Sequence, residues 1–261
     1  MKFFEKVGDE TLYYLEQAGR MGRFLFSGLT AVVLPPYKIP AVLKQIQFIG
    51  SRSLPLIVFT GAFTGMVIGL QGYYVLRKFG AEGALGASVA WGLIRELGPV
   101  LTALMIIGRA GSAMCAEMGI MRNSEQIDAL ECMAIDPFQF LVAPKFIAAI
   151  ISLPLLTFVF NVVGIIGGYL VGVNLMGLSP GAYFQGMYDA VVWADIYMGI
   201  MKSLVFGLLI VWIATAKGYY LHTERSGGFG AEGVSRTTTG AVVMSSVAVL
   251  VWDYLITSLL L

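Results

Sequence analysis

Apolar runs long enough to cross a membrane recur along this chain, and no other feature constrains its fold as tightly. A helix rising 1.5 Å per residue needs about 20 apolar residues to cover a hydrocarbon core of ~30 Å. Five stretches meet that demand: residues 53–76, 84–108, 145–173, 190–216 and 240–260. Of the 261 residues, 57% are hydrophobic and 13% are charged. An ordinary soluble domain carries about 25% charged residues. The expectation is an all-α polytopic membrane protein, with an N-terminal region (1–52) leading into a five-span domain (53–261).

Composition also excludes. A net charge of +1 gives no footing for a nucleic-acid partner. Cys115, Cys132 and the single His222 sit in unrelated contexts, so no metal site and no disulfide framework is expected. Both cysteines read as packing residues, and His222 as a surface or interface residue. The chain has no GxxxxGK[ST] loop, hence no ATP site, and no readable hydrolytic constellation. It does not read as an enzyme or as a cofactor-binding protein. Power for transport would come from a gradient or from a separate ATPase. The opening MKFFEKVGDE lacks a short apolar region with a small-residue cleavage site, so the first span is expected to act as the insertion signal.

Charges inside the spans are the sharpest functional hint. Arg95 and Glu96 interrupt span two at its middle, and Lys202 falls near the middle of span four, with Asp195 near its start. Each charge alone is expensive in lipid. Neighbouring helical residues point about 100° apart, so Arg95 and Glu96 need not pair with each other; Glu96 with Lys202 is a bridge that the spans allow. Pro99 is expected to bend the helix or free a carbonyl at this level. Two readings stay open: a structural ion network, or the lining of a lipid-accessible cavity. Glycines recur four apart at Gly61, Gly65 and Gly69, and at Gly164, Gly168 and Gly172. Such faces let helices approach closely, although glycine is also simply frequent in membrane helices.

The remaining segments are amphipathic or loop-like. Residues 10–34 mix apolar and aromatic side chains with Glu16, Arg20 and Arg23, which suits a helix lying at the membrane surface and stopped by Pro35-Pro36; the alternative is a further span. Residues 38–49 form a second short basic-apolar stretch. Residues 119–135 place Ile120, Ile127 and Leu130 at helical spacing with Arg122, Glu125, Asp128 and Glu131 on other faces. This predicts one interfacial helix for a soluble partner, or a solvated loop helix without one. Residues 77–83 and 174–186 read as loops, as does 217–239 with His222, Arg225, Arg236 and glycines at 227–230. With the N-terminus inside, thirteen of the seventeen basic residues lie on the cytoplasmic side and only Arg77 and Lys78 lie outside. That bias favours N-in and C-out.

The stretch from Arg95 to Phe146, RELGPVLTALMIIGRAGSAMCAEMGIMRNSEQIDALECMAIDPFQFLVAPKF, resembles the MlaE/YrbE family, the permeases of MCE-type lipid ABC transporters. QGY at 71–73, ISLPLLT at 151–157, VGIIGG at 163–168 and the closing SRTTTGAVVMSS carry the resemblance along the chain. It implies an N-terminal elbow helix, five spans, and a cytoplasmic coupling helix at about 118–135. It implies a homodimer working with a cytoplasmic MlaF-like ABC ATPase that binds ATP and Mg. It also implies a STAS-domain (MlaB-like) protein, a hexameric MCE-domain (MlaD-like) protein and phospholipid, in a bacterial inner membrane. Glu117, Arg122, Glu125, Gln126 and Asp128 would contact the ATPase. Arg95, Glu96 and Lys202 would line the lipid cavity, together with Leu70 and Tyr73. Arg95 and Lys202 would attract the phosphate. Gly61, Gly65, Gly164 and Gly168 remain packing positions. The implied function is ATP-driven exchange of phospholipid with the periplasmic partner, which maintains outer-membrane asymmetry. Rival readings are a related system for another lipid or a sterol (a plastid one being disfavoured by the lack of a transit peptide), a gradient-driven carrier, and a non-transporting scaffold for an ATPase.

Overall fold

The computed structural model describes residues 2–35, 38–223 and 230–260, with the backbone alone for residues 2–8. Pro36, Arg225 and the glycines at 227 and 228 lie outside the described residues. Eight helical elements follow one another: α1 (Lys2–Val33), α2 (Ile39–Arg77), α3 (Glu82–Asn123), α4 (Gln126–Cys132), α5 (Phe138–Leu175), α6 (Pro180–Ala190), α7 (Trp193–Tyr219) and α8 (Gly230–Leu260). Of these, α2, α3, α5, α7 and α8 are long and apolar enough to cross a membrane. The chain is an all-α, multi-pass membrane protein.

The helices overrun the expected spans at most of their ends. α3 has 42 residues, about 60 Å at helical rise, and so projects well beyond a ~30 Å core. Backbone hydrogen bonding does not stop where lipid stops, so hydropathy marks the membrane and not the helix. α2 holds a bend at Gly50, followed by a 3₁₀ turn at Ser51–Ser53. The Phe48 carbonyl beside the bend accepts from Arg109 Nη1 at 2.6 Å, and Ser53 Oγ accepts from the same nitrogen at 2.6 Å. α3 widens to π geometry at Leu93–Leu97, where Gly98 N–H reaches back to the Leu93 carbonyl. The wide turn stands directly before Pro99, whose ring and missing N–H disfavour a regular turn there.

Two sequence expectations are corrected. The single helix over 119–135 is two pieces: span two runs on to Asn123, Glu125 takes φ 56°, and α4 begins at Gln126. A left-handed residue cannot continue a right-handed helix, so the segment turns a corner. The loop at 174–186 contains α6, started by Ser179, whose Oγ accepts from Ala182 N–H at 3.2 Å, with Pro180 at the first helical position. That start signal stands in the sequence.

α1 is helical from Lys2 to Val33 and packs by one face. Phe24 is fully buried against Phe138, Tyr219 and Tyr220, and Trp212 Nε1 donates to the Met21 carbonyl at 2.9 Å. α1, α4, the start of α5 and the end of α7 therefore share one end of the bundle. α6 and the C-terminal end of α8 share the other.

Candidate functional site

Two ion pairs join α3 to α7 at the α6 end of the bundle. Arg95 Nε donates to Asp195 Oδ1 at 2.6 Å, and Lys202 Nζ donates to Glu96 Oε2 at 2.5 Å. Asp195 and Lys202 are seven residues apart, two turns along one stripe of α7. Between them stands Gly199. A Cβ there would meet the Ile94 carbonyl at 2.6 Å, so the backbones touch between the two pairs. The π turn lets consecutive residues 95 and 96 reach two different partners on the same helix.

The network extends further than the sequence suggested. Asp195 is fully buried; it accepts from Trp91 Nε1 and from Val192 N–H, both at 3.0 Å. Lys202 is also fully buried and lies 2.8 Å from Asp253 Oδ1 of α8, a charge contact and not an aligned hydrogen bond. Thr257 Oγ1 donates to Glu96 Oε1 at 3.3 Å. Glu96 keeps 41% of its side chain exposed, against 20% for Asp253. With no exposed surface, Lys202 cannot present its ammonium to a ligand, contrary to the phosphate role expected of it. Arg95, 25% exposed and lying over the Trp91 ring, keeps that possibility.

Asp195 lies in the first turn of α7 and Asp253 seven residues, about 10 Å, from the end of α8, whereas Lys202 stands nine residues, about 14 Å, into α7. Asp253 was missed although it is an acid inside a predicted span, the same signal that marked Arg95. Asp195 was noted without its partner.

Tyr73 is buried while Leu70 is exposed, and neither forms a hydrogen bond or ion pair with the network among the described residues. The glycine positions meet one another. A Cβ on Gly65 would sit 1.8 Å from the Gly164 carbonyl, one on Gly61 3.0 Å from the Phe160 carbonyl, and one on Gly69 3.0 Å from Gly168 Cα.

At the other end, Lys145 is buried and donates to Glu117 Oε2 at 2.5 Å, tying α5 to α3. Arg122 Nη1 donates to Asp128 Oδ1 at 2.7 Å across the corner at Glu125, while its guanidinium lies over Tyr219. His222 Nε2 lies 3.3 Å from the Arg122 carbonyl. Glu125 and Gln126 are exposed at the corner itself. Cys115 is buried, whereas Cys132 is exposed and so is not a packing residue. No cluster of metal-ligating side chains occurs among the described residues.

Five helices long and apolar enough to cross a membrane, with charges buried between them, make this a polytopic membrane protein. The profile of the Permease MlaE family matches residues 42–259. The chain is 41% identical over 261 residues to the intermembrane phospholipid transport system permease protein MlaE of Haemophilus influenzae, covering all of this chain and 98% of that one. It is 39% identical to a probable ABC transporter permease protein of Rickettsia typhi, over 97% of this chain and 96% of the relative. A probable ABC transporter permease of Rickettsia felis is 40% identical, over 97% and 95%. The chain belongs to the MlaE permease family: it is the membrane subunit of an ABC transporter, not an enzyme.

Proposed function

We propose that this chain moves phospholipid between a bacterial inner membrane and a periplasmic MCE-domain partner, driven by ATP hydrolysed in a separate cytoplasmic ATPase. The observation that carries this reading is Glu96. A carboxylate with 41% of its side chain exposed at membrane depth is costly against hydrocarbon. The α3–α8 face that bears it therefore suits a polar cavity closed by a second copy of the chain. Family membership supplies the cargo class by analogy with the relative named above.

In this mechanism the outer-facing charges do separate work. Arg95 offers its remaining N–H groups to a lipid phosphate, while Asp195 holds the guanidinium in place. Lys202 bridges Glu96 and Asp253 and fixes α3, α7 and α8 relative to one another. Leu70, exposed on α2, supplies apolar wall for acyl chains, each buried CH₂ contributing about 0.8 kcal/mol. The corner formed by Glu125, Gln126 and α4 receives the ATPase, and Glu117–Lys145 and Arg122–Asp128 carry its motion into α5 and α3. The excess of basic residues on the α4 side supports N-in, C-out. STAS-domain and MCE-domain proteins complete the assembly.

The test is phospholipid transfer by the reconstituted complex with and without ATP. Transfer that needs ATP, and that falls with Arg95→Ala and with a disrupted 124–128 corner, supports the reading. ATP-independent transfer, or full activity in both variants, overturns it.

A further inference from the structure

Asp195 accepts three hydrogen bonds, and their division between its two oxygens decides what Arg95 has left to offer. Arg95 Nε donates to Oδ1 at 2.6 Å. Oδ2 accepts from Trp91 Nε1 and from the Val192 N–H, both at 3.0 Å. An arginine facing a carboxylate frequently makes two parallel N–H···O bonds, one to each oxygen. Here the second oxygen already holds two donors, and the pair is joined by a single bond. A guanidinium carries five N–H groups, one on Nε and four on its two Nη nitrogens. Among the described residues, neither Nη of Arg95 has a hydrogen-bond partner.

Three features fix this arrangement. Asp195 stands in the first turn of α7 and accepts from the Val192 N–H, so the start of the helix holds its carboxylate in place. The carboxylate is fully buried, so water does not compete for Oδ2. Trp91 precedes Arg95 by one turn of α3, and the guanidinium carbon lies 5.0 Å from the centroid of its ring. The ring therefore supports one face of the guanidinium, while the indole N–H holds the oxygen that the guanidinium would otherwise take. Trp91 is 46% exposed and Arg95 25%, so both border open space. We propose that Trp91 is a positioning residue for phosphate recognition: by occupying Asp195 Oδ2 it keeps Arg95 singly bonded and leaves both Nη nitrogens to a lipid phosphate. This assignment rests on the proposed lipid role of Arg95 and adds to it a residue whose own N–H is committed to Asp195.

The test measures binding of dioctanoyl phosphatidylglycerol to the full transporter in detergent, beside dioctanoylglycerol, which has the same chains and no phosphate. Trp91→Phe keeps a ring against the guanidinium and removes the N–H. It is expected to weaken phosphatidylglycerol binding several-fold and to leave dioctanoylglycerol binding as it was. Arg95→Ala should abolish the preference for the phosphate-bearing lipid, and adding Trp91→Phe to it should change nothing further, because the tryptophan acts through the arginine. Unchanged phosphatidylglycerol binding in Trp91→Phe overturns the proposal. So does an equal loss for both lipids, which marks general damage to the bundle, and so does a loss that adds to that of Arg95→Ala. ATP-driven transfer by the unaltered complex is read in parallel and decides the transport reading. Transfer alongside normal binding by Trp91→Phe sinks this assignment alone.

Discussion

The α2–α5 contact and the α3–α7 contact are both close, and among the described residues only the second adds ion pairs to that closeness. Between α2 and α5 the backbones meet with nothing between them. Gly65 faces the Gly164 carbonyl, and a Cβ on Gly167 would lie 2.5 Å from the Ala62 carbonyl. The attraction there is packing, which needs only that side chains be absent. Between α3 and α7 the backbones meet at Gly199, flanked by Arg95–Asp195 and Glu96–Lys202, and again at Gly218, where a Cβ would lie 2.5 Å from the Cys115 carbonyl. The first contact has no reason to open. The second stores charge in a low-dielectric setting, where each partner depends on the other, and suits a part of the molecule that meets a polar cargo. Under the proposed function, that difference separates scaffold from cavity wall.

The sharpest way to break the comparison is Lys202→Met. It leaves Glu96 and Asp253 facing each other without their cation. Removing one partner of a buried pair typically costs about 3–5 kcal/mol. A large drop in the melting temperature of the complex and loss of transfer are expected. Adding Glu96→Gln and Asp253→Asn should return most of the stability but not the transfer; if transfer returns as well, the network is scaffold like the glycine seam. Gly65→Ala comes next. Its methyl has no room against a backbone carbonyl, and overpacking costs about 1–3 kcal/mol. Melting temperature should fall while the ATP dependence of residual transfer stays intact. Gly240→Ala, where a Cβ meets nothing, should hold or raise stability, by up to about 1 kcal/mol, because alanine is the better helix former. An equal loss at Gly65 and Gly240 would mean that the loss at Gly65 does not come from its contact. A small loss of stability is expected for Arg122→Ala, which removes a partly exposed pair worth about 0.2–1 kcal/mol. Its readout is ATPase stimulation by the membrane subunit, expected to fall more than the melting curve shifts.

Much of this was legible in the chain. Gly61, Gly65 and Gly69 announce a packing face because a four-residue period is local to one helix. Arg95, Glu96 and Lys202 stand out because charge in an apolar run needs a partner or a polar cavity. The 119–135 helix was misread because no glycine or proline marks the left-handed turn at Glu125. Tertiary context holds a residue there that local preference would not choose. α6 starts at Ser179-Pro180, but the turn-forming residues Gly177, Ser179, Pro180 and Gly181 around that start read equally as a loop.

What the sequence determined by itself was the class and the inventory: five apolar helices, the family they belong to, and the charges they carry. Those follow from periodicity and transfer energy, which act residue by residue. Only the tertiary structure decided the pairing. It gave Asp195 to Arg95, shared Lys202 between Glu96 and Asp253, and hid Lys202 from any ligand. It set Trp91 against the second oxygen of Asp195. Partners a hundred or more residues apart are chosen by how helices cross. That crossing is set by close backbone approach at positions such as Gly199 and by the wide turn before Pro99, not by the spacing within any one helix.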